Sequence, residues 1–465
     1  MKTKQKRITG TQYIFQLIIV LLLLGCEDYL EVESPKSQID QETVFLDEGY
    51  ATAAVTSLYA SLRDNVLLTG SSNGMSILYG LYTDELDYYS NSGSDFEEFY
   101  NHQIIASNGL VLNQWSSSYN LIFNCNSVIE GISSSPSLSQ EVKNQLKGEA
   151  LFIRALTHFY LVNLFGDIPY ITTTDYTVNQ QVSRMETEIV YDYILNDLIL
   201  GKTLLGEADL TGERIRANKY VVSALLARVY LYLENWEAAE TESSSIINAS
   251  SLYYFEGDVA NEFLNNSQAT ILQLKPKNEG DNTLEAGTFI FSSGPPVLVA
   301  LNSEFTETFE TDDLRREHWV LEVTDGSEIW YAPYKYKLQE NTGASMEYSI
   351  IFRLAEQYLI RAEARAPLGN ILASAEDINV IRNRAGLSNT TASTTTELMA
   401  VILHERQVEL FTEHGHRWFD LKRLNKAGEV LAPIKSNWQI TDILMPIPET
   451  ELLLNPNLTP QNNGY

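Results

Sequence analysis

The stretch ANKYVVSALLARVYLYLENWEAAETESSSIIN, residues 217–248, is apolar at helical spacing on both sides of one polar break. It predicts two helices, 217–234 and 236–248, joined by a tight turn at Asn235. Small residues let two helices approach closely, and Ala227, Ala238 and Ala239 lie among Tyr230, Leu231, Leu233 and Trp236. Outward from this pair the helical pattern continues in both directions. Residues 42–64 carry Val44, Phe45, Tyr50, Ala54, Leu58 and Leu62, and 114–130 set Trp115, Tyr119, Ile122, Asn126 and Ile129 on one face. Ser137-x-x-Gln140 reads as a capping box opening a helix to about Phe165, which the turn Gly166-Asp167-Ile168-Pro169 ends. Ser183-x-x-Glu186 precedes a helix over 187–205, and Thr394-x-x-Glu397 opens one to about Glu413. Residues 350–365 and 372–384 form a further pair around Pro367-Leu368-Gly369-Asn370.

Two stretches break the pattern. Residues 250–348 read as loops with short alternating strands such as 270–274, and 83–112 read as a smaller irregular insertion. Long irregular segments inside compact domains are often functional, so a binding site is expected there. The helix pair at 217–248 resembles a tetratricopeptide repeat. No strict 34-residue period is present, so the expected fold is mainly α, one large unit of divergent repeat-like helix pairs with a loop-rich region. An ordinary helical bundle would show a similar pattern.

The chain has 465 residues, 44% hydrophobic and 20% charged, which excludes a disordered or collagen-like protein. Its formal charge of −29 gives no electrostatic footprint for phosphate backbones, so nucleic acid is not an expected partner. Lys2, Lys4, Lys6 and Arg7 precede an apolar run over 13–24 that ends in Leu23-Leu24-Gly25-Cys26. This resembles a bacterial lipobox, implying a signal peptide over 1–25 and lipidation at Cys26. Cleavage there leaves 28 basic residues against 61 acidic ones and Cys125 as the one unmodified thiol, read as a small buried side chain. Residues 26–40 look like the acidic tether of a surface lipoprotein.

Three motifs carry a family resemblance. Arg154-Ala155-Leu156-Thr157-His158-Phe159-Tyr160-Leu161 followed by Phe165-Gly166-Asp167-Ile168-Pro169 is similar to a segment of the SusD/RagB family. Glu405-Arg406-Gln407-Val408-Glu409-Leu410, then Glu413, Gly415, Arg417-Trp418-Phe419-Asp420-Leu421 and Arg423, resembles its C-terminal signature, with His414 interrupting the usual Glu-Gly pair. Pro446-Ile447-Pro448, Glu451, Asn455-Pro456 and Gln461-Asn462-Asn463-Gly464-Tyr465 resemble its closing tail. The resemblance implies a SusD-like fold, with an N-terminal helical region over 41–249 and a C-terminal region with a ligand-loop insertion over 250–465. It also implies a lipid-anchored protein of the outer membrane, facing the exterior, that captures oligo- or polysaccharide for a SusC-like TonB-dependent transporter. A peptide-carrying lid, as in the RagB branch, or a protein-interaction scaffold are the alternatives.

Chemistry-bearing motifs are few, and neither an enzyme nor a cofactor is expected. His404-Glu405-Arg406-Gln407-Val408 has Val408 where a zincin needs its second histidine, and His414 and His416 do not share a helix face, so no metal site is expected. Glu405, Glu409, Arg406 and Arg417 are read instead as ion-pair partners that fix the C-terminal helices. Asp84, Glu85, Asp87, Asp312 and Asp313 are read as solvated or capping acids rather than a glycosidase pair, and Asp313-Leu314-Arg315 resembles a structural turn of the family. Binding rests on aromatics, because an exposed ring stacks on the apolar face of a sugar. Tyr82, Tyr88, Tyr89, Phe96, Phe99 and Tyr100 crowd the first insertion; Phe291, Trp319, Trp330, Tyr331, Tyr334 and Tyr336 lie in the second. Tyr88, Tyr89, Trp330 and Tyr331 are the expected ligand-binding rings, because they flank the turns Ser90-Asn91-Ser92-Gly93 and Asp325-Gly326-Ser327. Trp115, Trp236 and Trp418 are assigned to the core. The acidity of the chain favours neutral cargo, although Lys275/Lys277 or Arg315/Arg316/Lys335 offer local cations.

Overall fold

The computed structural model describes residues 41–465; the targeting segment, Cys26 and the 26–40 tether lie outside the described residues. The first principal helices are α1 (Glu48–Asp64), α2 (Met75–Tyr82), α3 (Asp95–Asn101), α4 (Gly109–Ser134) and α5 (Gln140–Phe165). Next come α6 (Thr187–Leu204), α7 (Lys219–Tyr232), α8 (Trp236–Ile247) and α9 (Leu284–Phe289). The C-terminal group is α10 (Leu354–Arg365), α11 (Ile371–Arg384), α12 (Thr395–Leu410) and α13 (His416–Arg423). Packing runs in a continuous series: α4 on α5, α5 on α6, α6 on α7, α7 on α8, α8 on α10 and α10 on α11. That stacking is the expected divergent-repeat scaffold, and small residues make its junctions. Ala227, Leu231 and Ala239 of α7 and α8 close on Ile360 and Ala364 of α10, with Trp236 partly buried against them.

Local chemistry sets the helix starts. The Asn218 carboxamide accepts from the Tyr220 and Val221 amides at 3.0 Å each, opening α7, and Asn235 caps α8. Thr394 and Glu397 form the expected reciprocal box at α12. For α5 the cap is Ser139 rather than Ser137. The Ser135 hydroxyl holds the Ser137 and Leu138 amides at 3.3 Å, keeping those residues out of the helix. The 42–64 segment is broken: Asp47 caps α1 through the Tyr50 amide, so Phe45 turns into the core instead of continuing the helix.

Among the described residues six short strands complete the fold: β1 (Leu86–Tyr88), β2 (Thr270–Leu274), β3 (Val299–Leu301), β4 (Val320–Thr324), β5 (Ile329–Pro333) and β6 (Ser349–Arg353). The 350–365 helix of the sequence reading therefore starts only at Leu354. Its first residues pair antiparallel with β2 and are buried on both faces. The 83–112 stretch is also more regular than expected, holding β1, α3 and the first turn of α4.

Buried ion pairs tie the helices together. Arg154 grips Asp197 of α6 with two bonds of 2.7 Å, and Arg228 grips Glu356 of α10 at 2.6 and 2.7 Å. The C-terminal motif does the same, with partners from other elements. Glu405 accepts from Arg315 (2.9 Å) and Arg382 (2.7 Å); Glu409 accepts from Arg315 (3.1 Å), Arg353 and Arg384. Arg406 pairs with Asp420 at 2.7 Å and Arg417 with Asp84 at 2.6 Å. Each such pair demands a fully charged, well-oriented partner, because removing one leaves the other buried and uncompensated.

Candidate functional site

The two irregular segments meet. β1 from the first insertion and β3, β5 and β4 from the second form one four-stranded sheet in the order β1-β3-β5-β4. Tyr88 pairs with Val299, Leu301 with Tyr331, and Val323 with Trp330. Side chains alternate across a sheet, so this register divides the four expected rings. Tyr88 and Tyr331 share one face with Leu86, Val299 and Leu301, and that face packs on a core of Phe263, Phe289, Phe305 and Trp319. Tyr89 and Trp330 belong to the other.

The expectation of four open rings is corrected by this packing. Trp330 is only 6% exposed, because the 291–298 loop crosses it at Gly294. A Cβ there would stand 1.9 Å from the indole, so glycine permits the contact. The Tyr88 hydroxyl is bonded to Asn91 O (2.7 Å) and Ser94 Oγ (2.6 Å), folding the ring back over its own turn. Tyr331 is half-buried with the Arg316 guanidinium 4.8 Å from its ring. Tyr89 alone of the four is open, at 38% exposure. Its amide donates to Leu298 O at 2.8 Å, which fixes the ring beside the loop that covers Trp330. Partial burial, then the charges of Asp87 and Glu328, raise its phenol above the ordinary value, keeping it a neutral hydrogen-bond donor. Tyr82, Phe99 and Trp319, also in the insertions, are fully buried, as are Trp115 and Trp418.

A cleft of about 500 Å³ lies along α9 and the 276–283 segment. Thr283, Leu284, Gly287 and Thr288 of α9 and its cap line one wall, and Ile290, just beyond α9, opens the loop over Trp330. Asn278, Asn282, Gln339 and Asn341 supply amides, with Arg63 and Lys277 at the same cleft. The amides cross-brace two loops: Asn282 Nδ2 donates to Glu340 O (2.9 Å), Asn341 Nδ2 to Glu279 O (3.2 Å) and Gln339 Nε2 to Ile290 O (2.9 Å). Arg63 is held by Asp64 at 2.7 Å, while Lys277 is exposed. The amide-rich strings 278–283 and 339–343 were visible in the sequence, but nothing local indicated that they would pair.

Three of the acids weighed as catalytic are committed elsewhere. Asp84 is paired to Arg417, Asp313 caps a helix and binds Arg315 at 2.8 Å, and Asp87 accepts from Asn302 at 3.0 Å. His404 has its imidazole pKa lowered by burial, and His414 is bonded to Ile350 O at 2.8 Å. Among the described residues no group of histidine, cysteine and acidic side chains is arranged to hold a metal ion, and no helix is long and apolar enough to cross a membrane.

Residues 28–231 match a SusD-like family model described as starch-binding and associating with the outer membrane, and residues 321–465 match that of the SusD family. SusD-like protein P2 of Formosa agariphila is 27% identical, over 97% of this chain and 98% of its own. A SusD superfamily protein from Parabacteroides distasonis superposes with a TM-score of 0.77 at 26% identity, covering 90% of this chain and 99% of that one. Surface glycan-binding protein A of Bacteroides thetaiotaomicron, solved with laminarihexaose, gives 0.76 at 18% identity over 89% and 99%. With both ends of the chain matched and the helical scaffold shared throughout, the protein belongs to the SusD/RagB family.

Proposed function

We propose that this chain is a cell-surface lipoprotein that captures oligo- or polysaccharide and passes it, without catalysis, to a SusC-like TonB-dependent transporter. The observation that carries the reading is the sheet that joins the two insertions and holds Tyr89 open, and an amide-lined cleft along α9 supplies further polar groups. A ring stacks on the C–H face of a sugar, while amides and a lysine serve its hydroxyl rim. Glycan capture by structurally similar proteins supports it: one neighbour is a laminarin-binding SusD-like protein, and another was solved with laminarihexaose. Lipidation at Cys26 would anchor the chain, and ~0.8 kcal/mol per buried CH₂ over two or more acyl chains gives stable attachment. Non-catalytic action agrees with the structural duties of Asp84, Asp87 and Asp313.

Affinity electrophoresis of residues 27–465 through gels containing neutral and acidic polysaccharides tests this. One glycan is expected to retard the protein. Tyr89→Ala is expected to weaken that retardation about tenfold, the loss of one stacked ring, with melting unchanged because the ring is open. No retardation across the panel, or retardation indifferent to Tyr89→Ala, sinks the reading of this site. Co-isolation of the full-length lipoprotein with a β-barrel transporter tests the delivery step.

A further inference from the structure

A second cleft, of about 510 Å³, shares no lining residue with the first and lies between the segment after α3 and residues 436–442. Its floor is unusually well fixed. His102 has φ 53°, and its ring is wedged 3.9 Å from Tyr82. Nε2 donates to Tyr82 O at 2.8 Å, and Nδ1 lies 3.2 Å from the Asp442 carboxylate. Trp438 stands edge-on to His102 at 5.1 Å and to Trp418 at 6.3 Å, so its indole is held from two sides while remaining partly exposed. Asn437 beside it is tied to Asn101 O at 2.9 Å.

The rim is polar and uncommitted. The side chains of Gln103 and Ser436 are exposed and make no hydrogen bond to the described residues. No lysine or arginine lines the cleft, and its one carboxylate side chain, Asp442, is already engaged by His102 and the Gln439 amide (2.9 Å). The cleft thus offers a rigid aromatic platform, free amide and hydroxyl groups, and no side-chain cation. That combination suits a neutral pyranose and disfavours uronate or sulfated residues, which would need a cation. We propose that this cleft is a second carbohydrate subsite, taking neutral pyranose units of the same glycan. The proposal rests on the glycan reading above and extends it to a separate place.

Helix α3 leads from β1 to this cleft. Tyr100 near its C-terminal end reaches β1, its ring 6.3 Å from Tyr88 and its hydroxyl 3.2 Å from Asp87. His102 follows as its C-cap. Lys435, immediately before Ser436, lies 3.8 Å from the centre of the Tyr100 ring.

Fluorine NMR of the 27–465 chain labelled with 5-fluorotryptophan gives a direct test, since the chain has six tryptophans and Trp438→Phe identifies the one signal. The probes are laminarihexaose, maltohexaose and mannohexaose. The Trp438 signal is expected to shift with at least one of them, in the wild type and in Tyr89→Ala alike. Trp438→Ala is expected to weaken retention by the matching polysaccharide about tenfold. Should that variant lose its fold, Gln103→Ala, at an exposed position, is expected to weaken retention about threefold. A Trp438 signal unmoved by every hexaose, with Tyr89-dependent retardation intact, overturns the second subsite and leaves the first. Loss of all retardation in the wild type overturns both.

Discussion

Glu409→Gln is expected to remove about 4 kcal/mol of unfolding free energy, the range for breaking a buried ion pair from one side. The carboxylate is fully buried and accepts from Arg315, Arg353 and Arg384 at once. Burial alone would raise its pKa, but Arg384, Arg353 and Arg315 outweigh that and hold it well below the usual carboxylate range. Glutamine keeps the volume but removes the charge, and it turns an amide N–H₂ toward guanidinium groups that are themselves donors only. The loss stops short of three broken pairs, because Arg315 keeps Asp313, Arg353 keeps Glu413, and Arg384 keeps Glu262 at 2.7 Å. The effect should reach beyond α12. Arg353 ends β6, Arg384 ends α11 and Arg315 lies just before β4, so Glu409 ties the loop-rich half to the helical stack. Because its folded pKa is depressed, this contribution is present above the unfolded carboxylate value and is lost as pH falls toward the folded one. Urea unfolding at pH 7 measures it. A difference below about 1 kcal/mol would mean that the network is not a stabilising lock.

That network explains why the family resemblance was legible. Glu405, Arg406, Glu409 and Asp420 must be these residues and no others, since each is buried against a specific charge, and such constraints leave an unmistakable string. The helix pair at 217–248 was legible for a different reason: one face repeats over enough turns to fix the period. Strand β6 failed that test. Ser349–Arg353 is buried on both faces, and a run of five such residues leading into α10 has no alternation to separate it from a helix. Ring exposure failed for a reason that sequence cannot carry. Turns beside Trp330 suggested an open indole, but what covers it is Gly294, thirty-six positions earlier, brought over by the pairing of β3 with β5. The pleat then decided the rest, sending Tyr88 and Tyr331 toward the core and leaving Tyr89 outside.

Glu85 gives the second large effect, with the opposite sign. It is 2% exposed, immediately precedes β1, and leaves Oε1 without a hydrogen-bond partner. Burial first, then the neighbouring Asp84 charge, raises its carboxyl to about 8, against the lowering effects of Arg417 and Lys335. A group whose folded pKa exceeds its unfolded value contributes stability that is complete below the unfolded value, here 4.5, and drains away as pH rises through 8. At about 1.4 kcal/mol per unit, the wild type gives up about 5 kcal/mol over that window. Glu85→Gln has no proton to lose. It is therefore expected to gain on the wild type steadily from pH 4.5 upward, by about 5 kcal/mol in all by pH 9. Lys335, lowered to about 8 by burial, titrates in the same range and is coupled to Glu85, so the difference curve reports the loss of the Glu85 proton together with that coupling. A difference that stays flat between pH 4.5 and 9 would show that the carboxyl is ionised throughout. Because Glu85 O also accepts the Asn302 amide at 2.9 Å, a backbone bond that glutamine preserves, β1 should keep its place. Tyr89-dependent glycan retention is then expected to persist unchanged in this variant.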